Sequence, residues 1–167
     1  MSEPREPVVS WEGRFLEDFV VGDRYRHAHG RTITEADNTW FSLLTNNPHD
    51  IHSNADYASR TEFGRPLVVS TLTLAIVTGL SVSDVSQNAV ANLGWDEVRL
   101  TSPVFAGDTI YAESEVLEVR PSRSRPGQGL VRVRTRGFNQ RDETILTFER
   151  TVLVYARAAR PGQPRPA

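Results

Sequence analysis

The sequence predicts a single α+β domain in which an antiparallel β-sheet is wrapped around a long central α-helix. Two observations indicate this fold. A mostly apolar segment in the middle of the chain has helical spacing, and the second half of the chain holds long segments with the alternating pattern of strands. Because strands that follow one another closely pair antiparallel, the sheet they form is expected to bury one face against the helix.

The first half of the chain is predicted to contain a short strand, Arg24–His27, and two helices. The first helix covers Thr32–Leu44, where Thr34 can cap the helix start. Its apolar residues at helical spacing are Ala36, Trp40, Phe41 and Leu44. A polar loop, Thr45–Asn54, separates it from a short helix over Ala55–Arg60.

The central helix is predicted over Ser70–Val82, directly after a break at Gly64-Arg65-Pro66. Apolar residues lie on more than one of its sides, which is typical of a buried helix, although its Thr and Val residues would also allow a strand. The strands that follow are predicted over Ala91–Leu100, Asp108–Arg120, Gly129–Asn139 and Thr144–Ala156.

Length and composition describe an ordinary globular protein. The domain is predicted over residues 11–157 of 167, with a flexible N-terminal tail, 1–10, and a disordered C-terminal tail, 158–167, because both ends are too polar and proline-rich to bury a core. A net charge of −2 gives no general attraction to nucleic acid or anionic membrane. With no cysteine, no secretory signal and no bilayer-spanning segment, we expect a soluble, cytoplasmic protein.

The densest polar cluster of the chain is the loop Thr45–Asn54, which holds two of the four histidines, His49 and His52. Histidine is the side chain best suited to transfer protons near neutral pH. Alternatively, the Asn, Asp and Ser residues of this loop cap helices and build turns. A metal site at His49, Asp50 and His52 is disfavoured, because the spacing is loose and no second cluster offers further ligands.

Two further segments could bind negative charge. The stretch Gly64–Thr71 runs into a helix start, where free amide groups suit an oxyanion, although a plain Ser/Thr cap is the alternative. The loop Pro121–Gln128 contains Arg123 and Arg125, which could hold phosphates or could simply be solvated surface.

The chain resembles the family of MaoC-like dehydratases and (R)-specific enoyl-CoA hydratases. The resemblance rests on Phe41–His52 with Asp56-Tyr57-Ala58, on Phe63–Ser70 and on Pro103–Asp108. Three further stretches, Leu67–Thr71, Thr78–Val82 and Ala89–Asp96, look like the branch that contains mesaconyl-CoA and itaconyl-CoA hydratases. The resemblance implies the hot-dog fold, usually as a homodimer or a higher assembly of dimers, and reversible hydration of a short, branched or dicarboxylic enoyl-CoA.

The resemblance also implies roles for particular residues. The family's catalytic Asp and His fall on Asn47 and His52, and its oxyanion glycine falls on Ser70, whose backbone N–H would be used. Asn47 can orient a water but cannot transfer a proton, so His52, or Asp50 with it, would carry the proton transfer. Coenzyme A would enter as part of the substrate, and neither a separate cofactor nor a metal is expected.

A substrate with a second carboxylate would favour a nearby arginine, for which Arg65 and Arg99 are the candidates. The other predicted substrate contacts are Asp50, Thr71, Arg123 and Arg125. Two alternatives stay open at this point: an acyl-CoA thioesterase of the same fold, or a non-catalytic partner subunit of a heterodimeric dehydratase.

Overall fold

A computed structural model describes residues 11–162 and confirms the α+β fold, in which an antiparallel sheet packs on one long helix. The strands are β1 (Arg24–Arg26), β2 (Arg31–Thr32), β3 (Ala89–Leu100), β4 (Thr109–Pro121), β5 (Gln128–Phe138) and β6 (Thr144–Tyr155). The sheet runs in the order β1-β4-β5-β6-β3, and β2 also pairs with β4. The ends of the four long strands lie within two residues of their predicted positions.

Helix α1 (Glu35–Leu44) begins later than predicted. Thr34 is its N-cap, and its hydroxyl accepts the Asp37 N–H at 3.2 Å while the Asp37 carboxylate accepts the Thr34 N–H at 2.8 Å. Because a capping residue has extended backbone, the residues before it are free to pair as a strand. Arg31 and Thr32 therefore form β2 against β4, and the prediction of helix at Thr32 is wrong.

The apolar face predicted for α1 is wrong except at Phe41, which is partly buried against the core. Trp40 and Leu44 are 65% and 79% exposed, whereas the buried residues of the helix are Asn38 and Ser42. These two lie one turn apart, and the Ser42 hydroxyl donates to the Asn38 carbonyl at 2.9 Å. Helix α1 thus meets the rest of the domain through buried Asn38 and Ser42 together with partly buried Phe41.

One side of helix α3 (Ser70–Leu80) packs into the hydrophobic core. Its buried residues are Leu72, Thr73, Ile76 and Val77. Val77 packs so closely on β5 that a Cβ at Gly137 would lie 2.5 Å from a Val77 methyl group, which explains a glycine inside a strand. The short helix α2 (Ala55–Ser59) and a π-helical turn, Val82–Ser86, lie on either side of α3 in sequence.

The other side of α3 is exposed, contrary to the prediction of a helix buried on several sides. It forms an apolar groove with the edge strand β3, lined by Thr71, Leu74, Ala75, Thr78, Gly79 and Trp95. Leu93, Trp95 and Leu100 of β3 are themselves 43% to 54% exposed. Apolar sequence on several sides of a helix therefore indicates a second surface here, not a second core.

The predicted tails fall largely outside the described residues. The last described part of the chain contains a 3₁₀ turn, Arg157–Ala159, and Arg157 forms an ion pair with Asp18 at 2.7 Å. The domain boundaries therefore stay a prediction. No helix within residues 11–162 is long and apolar enough to cross a membrane.

A buried polar cluster lies beneath the π-helical turn. His27 is 4% exposed; its Nδ1 lies 2.8 Å from the Asp84 carboxylate and its Nε2 lies 2.9 Å from the Ser114 hydroxyl. Arg14 donates to the other Asp84 oxygen at 2.7 Å. Burial lowers the pKa of His27 and outweighs the attraction of Asp84, which acts in the opposite direction.

Acidification is expected to destabilise the fold through His27. Because its pKa is lower in the folded than in the unfolded chain, the unfolded chain binds more protons as the pH falls through the ordinary histidine value of about 6.5. The contribution of neutral His27 to the free energy of unfolding is therefore complete above that pH and is lost as the pH falls below it. Urea unfolding at about pH 7.5 and about pH 5.5 measures this, with the lower midpoint expected at the lower pH.

The variant His27→Gln should reduce this pH dependence, since a neutral amide replaces the titrating ring. The exposed His29 offers a matched control, and His29→Gln should leave the pH dependence unchanged. If His27→Gln kept the full pH dependence of the wild type, another group would be responsible.

Candidate active site

The His52 ring is held in one orientation by a backbone carbonyl. His52 ends a 3₁₀ turn, Asp50–His52, and its Nδ1 lies 3.0 Å from the carbonyl oxygen of Leu67. A carbonyl can only accept a hydrogen bond, so Nδ1 carries the proton. In the neutral ring, Nε2 then has a free lone pair, which is the arrangement a general base requires.

The loop that carries His52 is attached to the segment before α3. The Leu67 N–H donates to the carbonyl of Ile51 at 3.0 Å. The Asn38 amide nitrogen donates to the carbonyls of His52, at 2.8 Å, and Leu67, at 3.0 Å, and its oxygen accepts the Val69 N–H at 2.9 Å. Two stretches that are distant in sequence are thereby fixed side by side.

Asn38 was not among the residues singled out from the sequence. It lies in the predicted helix without a motif around it, and an asparagine in a helix is usually a surface residue. The sequence does place Asn38 and Ser42 on one face of the helix, because they are four residues apart. Two polar residues on a shared face do not by themselves indicate that the face is buried.

The first turn of α3 presents free amide groups. Its N-cap is Val69, which has no side chain that could cap, so the alternative of Ser70 as the capping residue is wrong. Within the described chain, the N–H groups of Ser70 and Thr71 have no hydrogen-bond partner. The first amides of a helix carry partial positive charge, and these two are therefore suited to an oxyanion.

His52 and Ser70 open into two neighbouring cavities. That of His52 measures about 240 Å³ and includes Asn38 and Arg65, and that of Ser70 measures about 290 Å³ and includes Leu67. The segment from Arg65 to Ser70 contributes to both. Since the His52 ring contacts Leu67, at most roughly 11 Å of chain separates that contact from Ser70.

Arg65 is the cationic residue beside His52. Its guanidinium lies 3.9 Å above the centre of the Phe105 ring, a cation–π contact that fixes its position. No carboxylate within residues 11–162 forms an ion pair with it, so its hydrogen-bond donors remain available to an anion in the His52 cavity.

Asn47 and Asp50 do not line the cavity of His52. The Asn47 side-chain oxygen accepts the His49 N–H at 3.1 Å, which leaves its NH2 group to contact a water. His49 itself accepts the Ile51 N–H on Nδ1 at 3.1 Å. The turn-building role considered for this loop is therefore real, and it coexists with the exposed His52 lone pair.

The remaining predicted substrate contacts lie elsewhere. Arg99 pairs with Glu97 at 2.9 Å on the surface, and Thr71 faces the apolar groove of α3. Arg123 and Arg125 follow β4, roughly 40 Å of strand away from its start near the cavities. Within one chain, the structure does not bring these residues to His52.

A metal centre finds no support in the described part of the chain, where no three His, Asp or Glu side chains converge. The prediction that no metal is needed remains untested.

Comparison with known proteins gives a consistent set of relatives. A family model described as mesaconyl-CoA hydratase matches residues 8–163. The chain is 37% identical over 154 residues to mesaconyl-CoA hydratase of Cereibacter sphaeroides, covering 92% of this chain and 45% of that protein. It is 36% identical to β-methylmalyl-CoA dehydratase of Chloroflexus aurantiacus, covering 92% of this chain and 43% of that protein.

Solved structures agree on the fold. A protein described as a MaoC domain dehydratase from Chloroflexus aurantiacus superimposes with a TM-score of 0.85 and 34% identity, covering 96% of this chain and 46% of that one. The MaoC-like dehydratase from Rhodospirillum rubrum gives a TM-score of 0.76 and 30% identity, with 87% and 99% covered. The chain thus spans about half the length of the curated relatives it matches.

Proposed function

The chain belongs to the mesaconyl-CoA hydratase family, and we propose that it catalyses the reversible hydration of a short enoyl-CoA whose acyl group bears a second carboxylate. The observation that carries the proposal is the position of Leu67. Its carbonyl holds the His52 ring with Nε2 unprotonated, and three residues later α3 begins with free amide groups. A base and an oxyanion site therefore belong to one connected segment.

The mechanism follows from these two groups. The thioester oxygen accepts the Ser70 N–H, and the Nε2 of His52 removes a proton from a water. The water oxygen bonds to carbon three, the electrons of the double bond move toward carbon two and the thioester oxygen, and the helix N-terminus stabilises the resulting negative charge. A proton then reaches carbon two from His52 or through a water. Asn47, which does not line the cavity of His52 in a single chain, stays a predicted contact of the attacking water.

Arg65 is our candidate for recognition of the second carboxylate. It lies in the His52 cavity, is fixed on Phe105 and has donors to spare, whereas Arg99 is already paired with Glu97 at the surface. A guanidinium also matches a carboxylate with two parallel hydrogen bonds. The names of the related enzymes are consistent with such a substrate, and an itaconyl-type substrate belongs to the same chemical class.

The partner is proposed to be a second hot-dog module, most simply another copy of this chain. The two curated relatives named above are about twice as long, and here the outer face of α3 and the edge strand β3 are left apolar and exposed. A second module would also offer a place for the Arg123 and Arg125 loop, which a single chain holds far from its own His52.

Replacing His52 by Ala is expected to lower kcat by about two to four orders of magnitude, the usual range for a general base. The measurement is loss of the conjugated-thioester absorbance with mesaconyl-CoA. His49→Asn is the matched control: it lies in the same loop and keeps an acceptor for the Ile51 N–H, so its kcat should stay near that of the wild type.

Wild-type turnover in the His52→Ala protein would remove the assigned role of His52. Release of free thiol from saturated acyl-CoAs would favour a thioesterase instead. Activity that required a second, different hot-dog chain would favour a partner subunit.

Replacing Arg65 by Met is expected to lower kcat/KM for mesaconyl-CoA by roughly 10- to 100-fold, the equivalent of losing a charged hydrogen bond. The value for crotonyl-CoA, which lacks the second carboxylate, should change much less. Arg99→Met serves as the control and should affect neither substrate. An equal loss on both substrates would mean that Arg65 does not read the second carboxylate.

A further inference from the structure

We infer that Asn38 is a positioning residue that holds the His52 ring and the start of α3 in one fixed arrangement. The inference rests on the proposed function of His52 as the base and adds a residue that does not touch the substrate's reacting atoms. Asn38 lies on α1, is 5% exposed and contacts both halves of the site.

Every contact of the Asn38 amide goes to backbone near the reacting groups. Its two N–H bonds point at the carbonyls of His52 and Leu67, and its oxygen accepts the N–H of Val69, the residue immediately before Ser70. Turning the amide over would place oxygen against two carbonyls and NH2 against an N–H. The surroundings therefore allow a single orientation.

The Leu67 carbonyl is the point at which Asn38 acts on the ring. That oxygen accepts the Asn38 amide at 3.0 Å and His52 Nδ1 at 3.0 Å. A carbonyl oxygen has two lone pairs, so both are occupied and its direction is fixed. With the acceptor fixed, the Nδ1–H form of His52 is favoured and Nε2 is directed away from the peptide segment.

Asn38 is itself anchored. Its backbone carbonyl accepts the Ser42 hydroxyl at 2.9 Å, and these two residues are the buried ones of α1. Among the apolar residues of the helix, Phe41 is partly buried against the core, whereas Trp40, Leu43 and Leu44 are each at least 65% exposed. The two fully buried side chains of α1 are therefore polar, and the amide of Asn38 is directed at backbone around the site and not at the core.

The chain supplies a matched control in Asn88. It is 4% exposed, and its amide donates to two backbone carbonyls, those of Glu12 at 2.9 Å and Arg14 at 3.2 Å, which line neither the His52 cavity nor the Ser70 cavity. Asn38→Leu and Asn88→Leu therefore remove the same kind of group from equally buried positions. A purely structural role predicts similar behaviour for both variants.

The tautomer of the His52 ring is a readout that would not change if Asn38 only supported the fold. The ¹⁵N chemical shifts of a neutral imidazole distinguish its Nδ1–H and Nε2–H forms, and this measurement needs no substrate. In the wild type and in Asn88→Leu, we expect His52 as the Nδ1–H form. In Asn38→Leu, we expect both forms to be populated, because the acceptor is no longer fixed.

Kinetics give the second readout. With mesaconyl-CoA, Asn38→Leu is expected to lower kcat by roughly 10- to 100-fold, the effect of a reacting group displaced by about 1 Å, while KM changes by less than about threefold. Asn88→Leu should retain the wild-type kcat. If the wild type has no hydratase activity, the proposed function fails, but the tautomer measurement still tests the role of Asn38.

The inference is overturned if Asn38→Leu is folded and shows His52 wholly in the Nδ1–H form. It is also overturned if Asn38→Leu and Asn88→Leu lower kcat equally. If either Leu variant fails to show cooperative unfolding and is therefore not properly folded, the measurements are made on the pair Asn38→Ala and Asn88→Ala instead. Failure of both Asn38 variants to fold, where both Asn88 variants fold, would show that the amide supports the fold and not the ring.

Discussion

One hydrogen bond, from Nδ1 of His52 to the carbonyl oxygen of Leu67, underlies the chemistry proposed for this protein. It fixes which ring nitrogen carries the proton, and it ties a loop after α1 to the segment that leads into α3. The same carbonyl accepts the Asn38 amide, so the orientation of the base depends on a residue whose amide bonds only to backbone groups. Catalytic geometry of this kind is a property of backbone groups held in place by side chains from another element.

The two ends of α3 have different polar surroundings, and the difference agrees with the direction of the helix dipole. At the C-terminal end, Arg150 of β6 is 2% exposed and donates to the Ser81 hydroxyl at 2.9 Å; burial lowers its pKa to about 10. A cation is favourable there, and no carboxylate among the described residues pairs with Arg150. The N-terminal end has no side-chain cap and keeps free amides at Ser70 and Thr71. One end is completed by the fold, and the other is left for a ligand with negative charge.

The sheet and the central helix could be predicted from the sequence, because an alternation of period two was clear in β4 and β5, short turns separated the long strands, and α3 combined apolar residues with a clear break before it. The inward face of α1 could not, because Asn38 acts through hydrogen bonds to backbone that lies 14 to 31 residues away. Apolar periodicity carries no trace of such contacts, and it favoured Trp40 and Leu44 instead. The choice between Arg65 and Arg99 likewise required the cation–π contact with Phe105 and the pair with Glu97, which spacing alone does not reveal.

A crystal structure of the assembled protein with a bound 3-hydroxyacyl-CoA product would test the central claim most directly. We expect the hydroxyl on carbon three within about 3 Å of His52 Nε2, the geometry of a general base. The thioester oxygen should lie at the same distance from the Ser70 nitrogen, where an oxyanion would form. A product whose hydroxyl contacted neither ring nitrogen of His52 in any copy, while its thioester lay away from α3, would contradict the account.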